Sequence, residues 1–133
     1  MLLVGCLGPS GHRGSSEPGT CHRDSDCGGS DLCARNAACL PPSEIRAVYV
    51  IWTLNDTMTN PTTCTSIPTF EIEFLGSADD DPLGYAPVPC AEGKFTVDKL
   101  PTSFTEVRIS HRGQRQTAKI DATTGEAALD LQL

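Results

Sequence analysis

Residues 45–54 (IRAVYVIWTL) are almost wholly apolar and rich in β-branched and aromatic types. Such a run predicts a central strand covered on both faces. Phe70-Glu71-Ile72-Glu73-Phe74 alternates strictly, which turns both Phe and Ile72 inward and both Glu outward. Phe95 and Val97 repeat the alternation, and Leu100-Pro101 ends that strand. Arg112-Gly113 fits a two-residue hairpin turn, with Gly free to take positive φ. That register sets Val107 opposite Ala118 on the inner face and Glu106 opposite Lys119 on the outer. Thr124-Gly125 reads as a second turn, setting Ile120 opposite Leu129 and Ala118 opposite Leu131. Both turns deliver Val107, Ile109, Ala118, Ile120, Leu129 and Leu131 to one face, which predicts a three-stranded meander. Turn-rich loops are expected from Asn55 to Thr63 and from Gly76 to Gly84. Helical periodicity is weak throughout, so the expected fold class is all-β, an antiparallel β-sandwich over residues 45–133.

The segment before Pro41-Pro42 has a different texture. Residues 21–40 (CHRDSDCGGSDLCARNAACL) hold few apolar side chains, so their shape must come from covalent bridges. Cys21, Cys27, Cys33 and Cys39 are evenly spaced, and with Cys64 and Cys90 they make six cysteines, enough for three disulfides. Four cysteines allow three connectivities. The interleaved one, Cys21 with Cys33 and Cys27 with Cys39, is favoured because adjacent pairing would close two small independent loops. Cys64 paired with Cys90 would tie the acidic Gly76–Gly84 loop to the sheet. Paired cysteines in this number point outside the cytoplasm. The even gaps are a poor match to zinc sites, which favour close pairs. Asp24-x-Asp26 with Gly29 resembles the start of an EF-hand loop, but Arg35 occupies the position that needs a bidentate Glu. Asp24 and Asp26 are better read as turn caps.

The remaining cysteine, Cys6, ends Leu3-Val4-Gly5-Cys6, which resembles the end of a bacterial lipoprotein signal with Cys6 as the lipidated residue. The resemblance implies a leader whose true start lies upstream of Met1. Residues 8–20 (GPSGHRGSSEPGT) have the composition of a flexible tether, so residues 1–20 are expected to be a truncated signal plus tether. Leu7 after the cysteine, instead of Asp, favours an outer-membrane or cell-surface address. The spacing in residues 21–40 resembles the short Cys-rich modules that follow such tethers.

A second resemblance lies in the body. Gly93-Lys94-Phe95-Thr96-Val97-Asp98-Lys99-Leu100-Pro101, followed by Phe104-Thr105-Glu106-Val107-Arg108-Ile109, resembles the G-x-F-x-V-x-x-L-P…Y-x-V-x-V segment of carboxypeptidase regulatory-like domains. Here Phe104 stands where that family often has Tyr, and Ser103 where it usually has Gly. Trp52-Thr53-Leu54-Asn55 with Cys64 and Cys90 is similar to a lipoprotein variant of the module. The resemblance implies an Ig/prealbumin-like β-sandwich, a secreted location, and a structural or interaction role without catalytic residues.

Charge changes the picture modestly. The net charge is −7, which disfavours nucleic acid as a partner. Residues 71–98 hold seven acids against one base, whereas residues 108–119 hold four bases and no acid; both read first as solvated faces. His12 lies in the tether, His22 in the cysteine knot and His111 beside the hairpin turn. No catalytic or phosphate-binding motif accompanies them, so neither an enzyme nor a cofactor or metal is expected. Trp52 is expected to anchor the core, and Asn55-Asp56-Thr57 to be a chance glycosylation sequon. The expected function is that of a non-enzymatic envelope or surface lipoprotein, anchored to a membrane at Cys6, that binds or scaffolds a protein or envelope partner. Two alternatives are a secreted disulfide-rich inhibitor or receptor ligand presenting Gly28–Leu32, and a calcium-dependent adhesion module using Asp79, Asp80 and Asp81.

Overall fold

The computed structural model describes residues 21–132; Cys6, the 8–20 tether and Leu133 lie outside the described residues. Its strands are β1 (Leu32–Cys33), β2 (Cys39–Leu40), β3 (Ile45–Leu54), β4 (Thr57–Met58), β5 (Thr69–Leu75), β6 (Leu83–Pro89), β7 (Lys94–Pro101), β8 (Glu106–His111), β9 (Gln114–Lys119) and β10 (Glu126–Leu131). Short 3-10 turns at Asp24–Asp26, Pro42–Glu44 and Cys90–Glu92 complete the described elements.

β1 and β2 form a minimal antiparallel pair inside the cysteine knot. Cys21 bonds to Cys33 and Cys27 to Cys39, the interleaved pairing. Cys21 and Cys39 are nearly inaccessible, so sulfur fills the space that apolar side chains fill elsewhere. Asp24 Oδ1 accepts the Cys33 N–H at 2.9 Å, and Asp26 Oδ2 accepts the His22 N–H at 2.9 Å. Asp26 caps its own turn, as expected, also accepting the Arg23 N–H at 3.2 Å, whereas Asp24 instead ties that turn to β1 nine residues on.

The body is a β-sandwich. One sheet is built on β3, with antiparallel β7 and β4 along one edge and β10 along the other. The second sheet has the order β6-β5-β8-β9 and is antiparallel throughout. Val48, Val50, Trp52 and Leu54 face Phe70, Ile72, Phe74, Val107 and Ile109 across a single core, with Phe104 fully buried at its end. Trp52 anchors this core as expected: its ring meets Phe70 edge-on at 5.0 Å, and Nε1 donates to Cys90 O at 2.9 Å. The Cys64–Cys90 disulfide fixes that acceptor in place.

Three expectations need correction. β3 is covered on one face, since Tyr49 and Ile51 remain 47% and 40% exposed. Its apolar run alternates between core and solvent. The β8–β9 hairpin has the expected register, with Val107 opposite Ala118 and Glu106 opposite Lys119, and Arg112 and Gly113 at positive φ. The third strand of the meander does not follow. β10 crosses to the other sheet and pairs parallel with β3, placing Leu129 beside Trp52 and Leu131 beside Leu54. The cause is local: Asp121 Oδ1 accepts the Thr123 and Thr124 N–H groups at 2.8 Å each, closing a corner instead of a hairpin. Gly125 then passes so close to β3 that a Cβ would sit 2.6 Å from Ala47 O, at φ +74°. Finally, β4 arises inside the expected Asn55–Thr63 loop, and β6 starts at the end of the expected Gly76–Gly84 loop and runs on through residues for which no strand was expected. Asn55 and Asp56 both take positive φ and turn β3 into β4. β6 pairs along an edge despite Pro87 and Pro89, a place where proline is tolerated.

The knot is fastened to β7. Arg35 N–H donates to Lys99 O at 3.0 Å, the Arg35 guanidinium grips the Asp98 carboxylate, and Lys99 Nζ meets Asp24 Oδ1 at 3.0 Å.

Candidate functional site

Residues of β8, β9, β10 and the Cys64 loop line a groove of about 390 Å³. Its floor consists of Ile67, Ile109 and Leu131, each contributed by a different segment and each otherwise buried. Ile67 lies in the loop that Cys64 secures, so the disulfide positions one wall of the groove. The rim carries His111, Gln114, Arg115, Gln116 and Gln132. A shallower depression of about 250 Å³ shares Ile67, His111 and Gln114 and adds Ser66 and Arg112. The first volume falls within the range of small-ligand or side-chain pockets.

Gln116 bridges the top of the groove. Its Nε2 donates to Asp130 O at 2.7 Å, and its Oε1 accepts the Gln132 N–H at 2.9 Å. One side-chain amide thus links β9 to the end of β10 across the groove. Asp130 is itself fixed, since its Oδ1 accepts the Asp56 N–H and the Thr53 hydroxyl, each at 2.7 Å. The Asp56 amide, followed by the Thr53 hydroxyl, holds the Asp130 carboxyl below the usual carboxylate range.

The outer face of this sheet carries a gradient of charge. Register places Glu73 beside Arg108 and Thr117, Glu71 beside Ser110 and Arg115, and Leu75 beside Glu106 and Lys119. Arg108 Nη2 meets Glu73 Oε1 at 2.9 Å and is thereby neutralised. Arg112, Arg115 and Lys119 make no ion pair among the described residues. Acid therefore dominates β5, whereas the β9 edge is basic, with Glu106 the acid directly across from it.

The residues singled out in the sequence do not gather at one site. Cys21, Cys27, Cys33, Cys39, Cys64 and Cys90 are all oxidised in pairs. The sulfurs of Cys21, Cys27 and Cys39 lie close together, but each belongs to a disulfide and none is a thiolate that could ligate zinc. Asp80 accepts hydrogen bonds from Ser77 N at 3.1 Å and Ser77 Oγ at 3.0 Å, closing its loop on itself. Among the described residues Asp79, Asp80 and Asp81 form no convergent ligand set. They instead line a surface depression with Arg35, Asn36 and Phe104. Gly28–Asp31 makes a tight turn on the knot surface, with Asp31 N–H on Gly28 O at 3.2 Å. His22 is exposed on the knot, and His111 alone of the histidines borders the groove; His12 lies outside the described residues.

Ile67, Gln114, Gln116, Leu131 and Gln132 had no place in the sequence-based list of candidates. The available signal was the strand Gln114–Lys119, which sends a polar Gln116 inward where a core strand would send an apolar residue. Comparison with known protein families, curated proteins and solved structures finds no match.

Proposed function

We propose that this chain is a non-enzymatic cell-envelope or surface lipoprotein, held by a lipid on Cys6 and displaying a prealbumin-type sandwich as a binding module. Three disulfides are a mark of an oxidising, extracytoplasmic location. Among the described residues no helix is long and apolar enough to cross a membrane. The prealbumin-type reading is supported by the resemblance over residues 93–109. Val97, Leu100, Phe104, Val107 and Ile109 from that segment all bury their side chains between the sheets.

The observation that carries the binding role is the groove beside β9. Three apolar side chains form its floor and amide and guanidinium donors form its rim, the composition of a contact surface. His111 borders the same groove and adds an imidazole to its polar rim.

Site-specific photocrosslinking in cells producing the full-length chain tests the role. A crosslinker at Gln114 should yield a discrete adduct that weakens on Arg115→Ala, whereas one at Ala122 should not. Equal adducts at both positions, or none at either, would remove the groove as the binding surface. The anchor has its own test, since an alkynyl fatty acid should label the chain and fail to label Cys6→Ala.

A further inference from the structure

We propose that the free edge of β9 receives an extended, acid-rich segment of a partner protein as an added strand. This rests on the binding reading above and specifies the partner. Bonding pairs alternate along an antiparallel ladder. Ile120 N–H donates to Thr105 O at 2.8 Å, which sets the phase of the ladder. Gln114, Gln116 and Ala118 therefore bond to β8, and Arg115, Thr117 and Lys119 direct their backbone N–H and C=O groups away from it.

An unpaired row of this kind is a template for another strand, and proteins normally blunt it. The other long edges are blunted. Pro87 and Pro89 withdraw donors from β6. The cysteine knot lies on β7, with Arg35 bonded to the backbone oxygens of Lys99 and Asp98 at 3.0 and 3.1 Å. Gln116 occupies the backbone of β10 at Asp130 and Gln132. The backbone of Arg115, Thr117 and Lys119 has no such cover among the described residues.

Charge selects the occupant. Arg115 and Lys119 project from the outer face of β9, and Arg112 sits at the turn beside them; none of the three makes an ion pair among the described residues, although Glu106 stands across the ladder from Lys119. A second copy is disfavoured, because an antiparallel self-pair centred on Thr117 would set Arg115 against Lys119. An acidic strand would meet cations instead. Added strands also alternate, so its outward residues would be the acids and its inward residues would reach the groove over Ile109 and Leu131. Edge, charge and groove together describe a strand of alternating acidic and apolar residues.

The test uses a fluorescein-labelled, end-capped peptide alternating Glu and Val, with the disulfide-intact chain, read by fluorescence anisotropy at low salt. Binding should weaken at least about tenfold when alternate peptide amides are N-methylated, and by a similar factor on Arg115→Glu with Lys119→Glu. Thr117→Pro should weaken it as well, since that N–H faces away from β8 and the β8–β9 ladder is left intact. Binding should fall with added salt, and a Lys-Val peptide should not bind. Equal affinity for the N-methylated peptide, unchanged affinity on Thr117→Pro, or no affinity for the acidic peptide would overturn the proposal. So would a dimer seen by analytical ultracentrifugation and lost on Thr117→Pro, because a second copy would then hold the edge. If Thr117→Pro loses the wild-type circular dichroism, the N-methylated peptide decides on the wild-type chain. Crosslinking at Gln114 that survives a negative peptide result would leave the binding role standing and remove only the strand.

Discussion

The cysteine knot and the sandwich solve the same problem by opposite means. The knot has almost nothing apolar to bury, and two disulfides, two aspartates bonded to backbone amides and the β1–β2 pair hold its shape. The sandwich buries a continuous apolar core from both sheets, and its one disulfide, buried in that core, pins the Cys64 loop to it. Stability therefore resides in the denatured state of the knot, which covalent links restrict, and in the native packing of the sandwich. The two are joined chiefly by polar contacts of Arg35 and Lys99, so each should respond to its own perturbation.

The largest effect should come from the sandwich core. Phe74 is fully buried and lies against the rings of Tyr85 and Phe95, so Phe74→Ala should cost about 3–5 kcal/mol in urea unfolding followed by Trp52 fluorescence. Replacing Cys64 and Cys90 together by Ala should cost roughly 3 kcal/mol in the same assay, the loop-entropy value for a bridge of this span. A loss as small in the first as in a surface mutant would break the contrast.

Replacing Cys21, Cys27, Cys33 and Cys39 by Ala should abolish hydrogen-exchange protection across residues 21–40. The unfolding free energy of the sandwich in urea should meanwhile change by less than about 1 kcal/mol, the worth of exposed ion pairs. Cooperative loss of both regions would show that the knot is part of the core. The smallest effect is expected at the junction itself, where Arg35→Ala should cost about 0.5 kcal/mol because both partners are largely exposed.

Acid should act at the same junction. The Arg35 guanidinium hydrogen bond holds the Asp98 carboxyl below its usual range, and the Cys33 amide followed by Lys99 does the same for Asp24. A carboxyl lowered on folding contributes stability above its unfolded pKa, and that contribution is lost as pH falls through the folded value. Knot resonances should therefore shift as pH drops below about 4, ahead of those of the sandwich core. Arg35→Ala should remove the Asp98 part of that response.

Much of this was legible in the residues. Strict alternation placed Phe70, Ile72 and Phe74 inward, because period-two patterning leaves one solution when a single face is buried. The Arg112-Gly113 turn fixed the β8–β9 register, and cysteine spacing favoured the observed knot. The fate of β10 was hidden because Leu129 and Leu131 suit either sheet equally well. What decides between them is the Asp121 corner and the approach of Gly125 to Ala47, a contact far apart in sequence. The one-sided burial of β3 was masked by Tyr49 and Ile51, apolar residues on a solvent face. The groove was less visible still, since its floor joins residues 67, 109 and 131, and only the basic stretch of residues 108–119 marked its rim.

Parallel pairing of β10 with β3 has a consequence for assembly. Residues 126–131 complete the sheet that residues 45–54 begin, so the first and last strands of the body are neighbours. A chain emerging N-terminus first, whether from a ribosome or across a membrane, presents β3 with that flank bare until nearly all of the body has followed. Closure of the sandwich is thus tied to arrival of its final segment, a topology in which the sheet cannot be completed until β10 is available to pair with β3.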